Sequence, residues 1–105
     1  MITHTLIYAF PAAMTEQDRK QFFDELGAIM LGEGNASGCE RWPHLALPSD
    51  EYAPVFAATD LAQIAFADLD AVAAASALPA LHDLIARWQA RFPYKVVWAN
   101  HEPAL

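Results

Sequence analysis

Four histidines and a single cysteine bound the chemistry open to this 105-residue chain. His4 sits early in an alternating apolar run, Ile2-Thr3-His4-Thr5-Leu6-Ile7-Tyr8-Ala9-Phe10, and Asn100 lies near the end of the last such run. Burial holds an imidazole neutral and basic, so His4 is a candidate general base or proton relay. Asn100 would orient that ring or donate to an oxyanion. Tyr8, Phe66 and Trp98 would shape an aromatic pocket around the pair, with Trp98 placed to stack on a flat ligand. Asp60 would lie beside Tyr8, where apolar surroundings raise a carboxyl's pKa and fit it for acid–base work. Tyr8 is four strand residues from His4, roughly 13 Å, so a two-residue mechanism must use one end or the other. Phe23, Trp42 and His82 complete the candidate substrate-contacting set.

Several chemistries find no support. The histidines are scattered, with no His-x-His or His-x₃-His pair beside carboxylates, so no metal is expected. The only glycine cluster, around Gly32-Glu33-Gly34, follows a helical stretch rather than a strand, which is not the order of a phosphate loop. No nucleophile elbow is present. Cys39 is alone, so neither an intramolecular disulfide nor a cysteine zinc site can form. The net charge is −7 without a basic run, which argues against nucleic acid and against anionic membrane surfaces. No cofactor is expected.

The candidate residues need elements to hold them. Residues 3–10 read as a strand ended by Pro11, with His4, Leu6, Tyr8 and Phe10 on one face and Thr5, Ile7 and Ala9 on the other. Thr15 is a good N-cap, with Asp18 three residues on, and Phe22, Leu26, Ile29 and Met30 follow at helical spacing. Gly32, Gly34 and Gly38 stop that helix. A weak second strand runs from Cys39 to about Leu47; on it Trp42 and His44 share a face and Arg41 takes the other. Residues 48–54 are a polar loop, and residues 60–67 a third strand. Asp68 and Asp70 start an alanine-rich helix that Pro79 breaks or restarts. Leu78, Leu81, Ile85 and Trp88 then form a stripe, with Trp88 a core residue. Tyr94 to Asn100 is the last strand.

One domain, residues 1–105, follows from the length. The order βαββαβ predicts an α+β, ferredoxin-like sandwich with two helices on one face of an antiparallel sheet ordered 4-1-3-2. In that order the start of strand one meets the end of strand four, which is what pairs His4 with Asn100. The other sheet face would stay bare. Leu6, Tyr8, Ile64, Phe66 and Trp98 are expected on it, an apolar patch that a monomer rarely tolerates. A homodimer with sheets face to face would cover it and enclose a ligand cavity.

With these pieces in place the chain resembles the stress-responsive A/B barrel family of the dimeric α/β barrel group, including its olivetolic acid cyclase-like members. The resemblance rests on Ile2-Thr3-His4, Thr15-Glu16 with Phe22-Phe23, Phe66, Pro79-Ala80 and Glu102-Pro103. It implies a dimeric α/β barrel with His4 as a pocket-lining residue. The family's His-Pro-Ala-His stretch is here Leu78-Pro79-Ala80-Leu81, so its catalytic histidine falls on Leu81 and its tyrosine on Ala75. His82 lies one residue further, about 100° round the helix.

The expected function is that of a cytoplasmic, homodimeric, cofactor-independent enzyme. It would carry out proton-transfer chemistry, such as cyclisation, aldol-type reaction or isomerisation, on a hydrophobic aromatic or polyketide-like ligand. His4 and Asn100 would be its catalytic pair. Two alternatives share the fold: a cofactor-free monooxygenase of the antibiotic-biosynthesis type, and a non-catalytic ligand-binding or stress-related dimer.

Overall fold

In the computed structural model, which describes residues 1–103, the elements run β1 (Ile2–Ala9), α1 (Glu16–Leu31), β2 (Gly38–Pro43), β3 (Asp60–Phe66), α2 (Leu69–Ser76), α3 (Pro79–Arg91) and β4 (Lys95–His101). A turn of 3₁₀ helix, Pro48–Tyr52, interrupts the loop after β2. The four strands make one sheet in the order β2-β3-β1-β4, with every pair antiparallel. This is the ferredoxin-like α+β sandwich that the element order predicts, with its second helix divided in two.

Local chemistry sets the helix ends. The Thr15 hydroxyl accepts from the Asp18 N–H, and the Asp18 carboxylate accepts from the Thr15 N–H, both at 3.1 Å. Such a capping box is worth about 1 kcal/mol. At the other end of α1, a Cβ on Gly34 would lie 2.6 Å from the Met30 carbonyl oxygen, so only glycine fits. Pro79 has no N–H with which to continue α2. The chain bends by 57° there, and α3 begins afresh on the proline. No single helix among the described residues is long and apolar enough to cross a membrane.

The pleat decides which residues meet the helices. Tyr8 pairs with Asp60, Leu6 with Ala62, His4 with Ile64 and Ile2 with Phe66, so even positions of β1 and β3 share a face. Along β3 the even positions Asp60, Ala62, Ile64 and Phe66 are buried while the odd ones are half-buried. Phe22, Leu26 and Met30 of α1, Val72 of α2, and Leu84 and Trp88 of α3 complete one core above that face. Each fully buried large side chain contributes about 1.5–3 kcal/mol.

This arrangement corrects the expected assignment of faces. Tyr8, Ile64 and Phe66 do not form a bare patch; they lie under the helices, at most 3% exposed. The uncovered face instead carries the odd residues Ile7, Leu61, Ala65 and Val97, together with Trp42, which pairs with Leu61. Arg41 and Trp42 take opposite faces, as the alternation predicts: Arg41 pairs with Ala62 on the helix side, and Trp42 faces away. The strand ends also move. β2 stops at Pro43, four residues short of Leu47, and β4 starts at Lys95 and runs on to His101. On α3 the buried positions are Leu84 and Trp88, whereas Ile85 is exposed.

Candidate active site

A cavity of about 350 Å³ opens between the sheet and the helices. The expected location was between two sheets; the exchange of faces places it inside a single chain. Its floor comes from β1, β3 and β4, through residues such as Leu6, Tyr8, Ile64 and Val96. Its roof comes from Phe22 and Leu26 of α1, Val72 and Ala75 of α2, and Leu81, Leu84 and Ile85 of α3. Among its lining residues are His4, His82, Ser76 and Gln89, but no lysine, arginine or carboxylate. Such a lining suits an uncharged ligand: a buried charge without a partner is costly. The volume lies at the lower end of the small-molecule range.

The mouth holds a paired histidine. His4 Nδ1 lies 2.6 Å from the Asn100 side-chain carbonyl oxygen. That oxygen carries no proton, so Nδ1–H donates and the lone pair stays on Nε2. The pairing follows from register, since His4 and Asn100 are direct cross-strand partners on β1 and β4. The Asn100 side-chain oxygen is thus turned toward the imidazole. Trp98 is the next helix-side residue of β4. Its ring centroid lies 6.4 Å from that of His4, and 61% of the residue is exposed.

His82 also lines this cavity, from the first turns of α3. Its Nε2 lies 2.9 Å from the Ser76 carbonyl oxygen, the last residue of α2. The helix break leaves that carbonyl at a helix C-terminus, where a donor is favoured. Nε2–H therefore donates, and His82 presents Nδ1 as its free nitrogen. The signal for this second imidazole was the Pro79 break three residues earlier.

The far end of the same face is built differently. Asp60 is 1% exposed. Its Oδ1 accepts from Arg41 Nε at 2.9 Å and from the terminal Nη2 at 2.6 Å. Arg41 also reaches Glu16, at 2.7 and 3.0 Å. The guanidinium holds the Glu16 carboxyl below its usual range, and these carboxylates hold Arg41 above its own. Asp60 is therefore an ion-pair partner rather than the pocket acid that its neighbour Tyr8 suggested, and it does not border the cavity.

The candidate residues thus divide. His4, Tyr8, Phe66, His82 and Trp98 come together around one cavity, with Asn100 behind His4. Phe23 packs in the core under the Arg41 guanidinium, 5.2 Å from its ring centroid, and borders only a smaller hollow of about 200 Å³. Trp42 is on the opposite sheet face. His44 bonds Asp50 at 2.8 Å and braces the loop after β2.

No protein-family model matches the sequence, and neither does any curated protein. Solved structures do match in fold. A crystal structure of an Arabidopsis thaliana protein superposes with a TM-score of 0.79 at 15% identity, covering 100% of this chain and 97% of that one. A dabb family protein of ferredoxin-like fold from Mesorhizobium loti gives 0.73 at 16% identity, over 98% and 96%. The hydroxynitrile lyase of Passiflora edulis gives 0.73 at 11% identity, over 95% and 90%. Fold and cavity together define a ferredoxin-like α+β domain of the architecture seen in dabb proteins. Other structures that share it, such as one from Thermobifida fusca, are described as dimeric.

Proposed function

We propose that this chain is a cofactor-independent enzyme of proton-transfer chemistry, acting on a hydrophobic aromatic or polyketide-like substrate. The observation that carries the reading is the His4–Asn100 pair at the mouth of an apolar cavity. Asn100 fixes the tautomer, and His4 Nε2 is then the free nitrogen able to act as a base beside the cavity. Such a base removes a proton from carbon next to a carbonyl, and the imidazolium returns it after cyclisation, cleavage or isomerisation. His82 lines the same cavity as a substrate contact, its free Nδ1 able to accept a hydrogen bond from a substrate hydroxyl. The lyase among the structural neighbours makes bond cleavage one of the reactions to be assayed.

The test needs no knowledge of the natural substrate. Valerophenone in heavy water exchanges its α-protons slowly, and NMR follows the loss of the signal. The wild-type protein is expected to accelerate exchange over an equal concentration of imidazole, and His4→Ala to remove the acceleration. Equal rates for the two proteins would refute the assignment.

The working unit in this reading is a homodimer. The uncovered sheet face presents Ile7, Leu61, Val97 and Trp42, the last two each 50% exposed, and contiguous apolar surface of this kind marks an interface. Dimeric neighbours support the same reading. Leu61→Glu is expected to shift the sedimentation coefficient to that of a monomer.

A further inference from the structure

The inner end of the cavity contains a polar group that the proton-transfer reading does not use. Tyr8 is 3% exposed and lines the cavity. Its ring is fixed on four sides, stacked on Phe10 at 5.0 Å between centroids and edge-on to Phe22, Phe23 and Tyr94 at 5.4–5.7 Å. Its hydroxyl has no hydrogen-bond partner among the described residues. The hydroxyl is not one of the fully enclosed unpartnered atoms, which are Arg19 Nε and Asp60 Oδ2, so within a residue that is otherwise buried it keeps accessible surface. An aromatic box with one uncommitted O–H on a residue that borders a ligand-sized space is the arrangement expected of an acceptor-binding subsite.

From this we infer that the cavity takes an uncharged ligand with two oxygen functions, one reacting beside His4 and a second, remote oxygen accepting a hydrogen bond from the Tyr8 hydroxyl. The inference rests on the proton-transfer reading for the role of the first oxygen and deepens it by naming the substrate class. The ligand is an aromatic or polyketide-type molecule oxygenated at both ends, rather than a hydrocarbon or a monoketone. The separation follows from the strand: His4 and Tyr8 lie on one face of β1, four residues and roughly 13 Å apart. Burial pushes the Tyr8 phenol far above its usual range, with the neighbouring Tyr94 and Cys39 adding to the effect. The hydroxyl is therefore a donor at every physiological pH and never a competing base. Tyr94 walls the same end, its main chain clamped by the Gln89 side chain at 3.0 and 3.1 Å.

Two probes of matched shape test the subsite: pentylbenzene and valerophenone, which differ by one carbonyl. Binding is read by quenching of tryptophan fluorescence, Trp98 being at the mouth. A monoketone can enter either way round, so the measurement is made in His4→Ala, where the mouth offers no His4 imidazole. There the ketone is expected to bind about five- to tenfold tighter than the hydrocarbon, the net value of one hydrogen bond. In His4→Ala/Tyr8→Phe the two probes are expected to bind equally, with pentylbenzene affinity unchanged, which also reports an intact pocket. Three results would overturn the inference: discrimination that survives Tyr8→Phe, equal weakening of both probes by Tyr8→Phe, and no binding of either probe. Loss of α-proton exchange as a His4-dependent activity, with Tyr8-dependent discrimination intact, would remove the base and leave the acceptor subsite standing.

Discussion

The two ends of the helix-covered sheet face use the same kinds of residue to opposite effect. At one end His4 meets Asn100, a neutral amide, beside Trp98 and the cavity mouth. At the other, Asp60 meets Arg41, which is itself held by Glu16. Both pairs place a titratable side chain against a cross-strand neighbourhood of aromatic residues. The first leaves a lone pair beside the cavity, whereas in the second the unbonded atoms, Asp60 Oδ2 and Arg19 Nε, are buried 3.9 Å from each other. In the second, every strong donor is turned inward on the fold, and the charge is neutralised by an opposite charge rather than oriented by a dipole. A titratable group in an apolar sheet is thus a catalytic candidate only when its partner is neutral and its second polar atom faces open space.

The closed end should break hardest. Asp60→Asn keeps the shape but leaves the Arg41 guanidinium without its buried counter-charge, and Arg19, whose Nε lies 3.9 Å from Asp60 Oδ2, with only the exposed Glu16 at 3.0 Å. Removing one member of a buried pair costs about 3–5 kcal/mol. Thermal unfolding should show a large fall in Tm. A change no greater than that of a surface substitution would mean that the pair is idle. The open end should behave inversely. His4→Ala is expected to leave Tm nearly unchanged while lowering α-proton exchange about 100-fold or more, the usual contribution of a positioned base.

Asn100 sharpens the distinction between orienting and ionising a base. Asn100→Ala removes the carbonyl that fixes the His4 tautomer but leaves the ring in place. Exchange should fall less than in His4→Ala, by about tenfold, a loss of about 1.4 kcal/mol in transition-state stabilisation. Asn100→Asp puts a charge where the structure has a dipole, and the pH midpoint of exchange should move upward, because a carboxylate stabilises the imidazolium. A pH profile that does not move would show that the side chain at position 100 does not act on the ring.

Much of the open end was legible in the chain itself. The element order implies the sheet order, the sheet order sets β1 beside β4, and antiparallel pairing then brings position 4 to position 100. The helix caps were equally local, since Thr15 and Asp18 carry their own geometry. The face was not legible. On β1 both Leu6-Tyr8-Phe10 and Thr5-Ile7-Ala9 are apolar enough to be covered, and a strand turned over by one position exchanges its two sides completely. That one parity carried with it the surroundings of Tyr8, Ile64 and Phe66 and the location of the cavity. It could have been read from charge: Asp60 and Arg41, nineteen residues apart, need each other once either is buried, and only one parity brings them together.

The smallest effect concerns a third carboxylate, midway in character between the two ends. Glu25 on α1 accepts from Trp88 Nε1 at 3.2 Å and from the exposed Arg87 at 3.3 Å. Burial alone would raise its pKa, but bonds from Gln21, Trp88 and Arg87 outweigh burial and leave it below the usual range. A carboxyl lowered in the folded state stabilises the fold above its unfolded pKa, about 4.3, and loses that contribution as pH falls through the folded value. Glu25→Gln keeps an acceptor for the indole yet cannot titrate. The variant should be slightly less stable than wild type at neutral pH, by well under 1 kcal/mol for so exposed an ion pair. As acid protonates the wild-type carboxylate, the two unfolding curves should converge below pH 4. A gap that persists there would assign the contribution to packing against Trp88 rather than to charge. Glu25 would then belong with the closed end, where side chains hold the fold and take no part in moving protons.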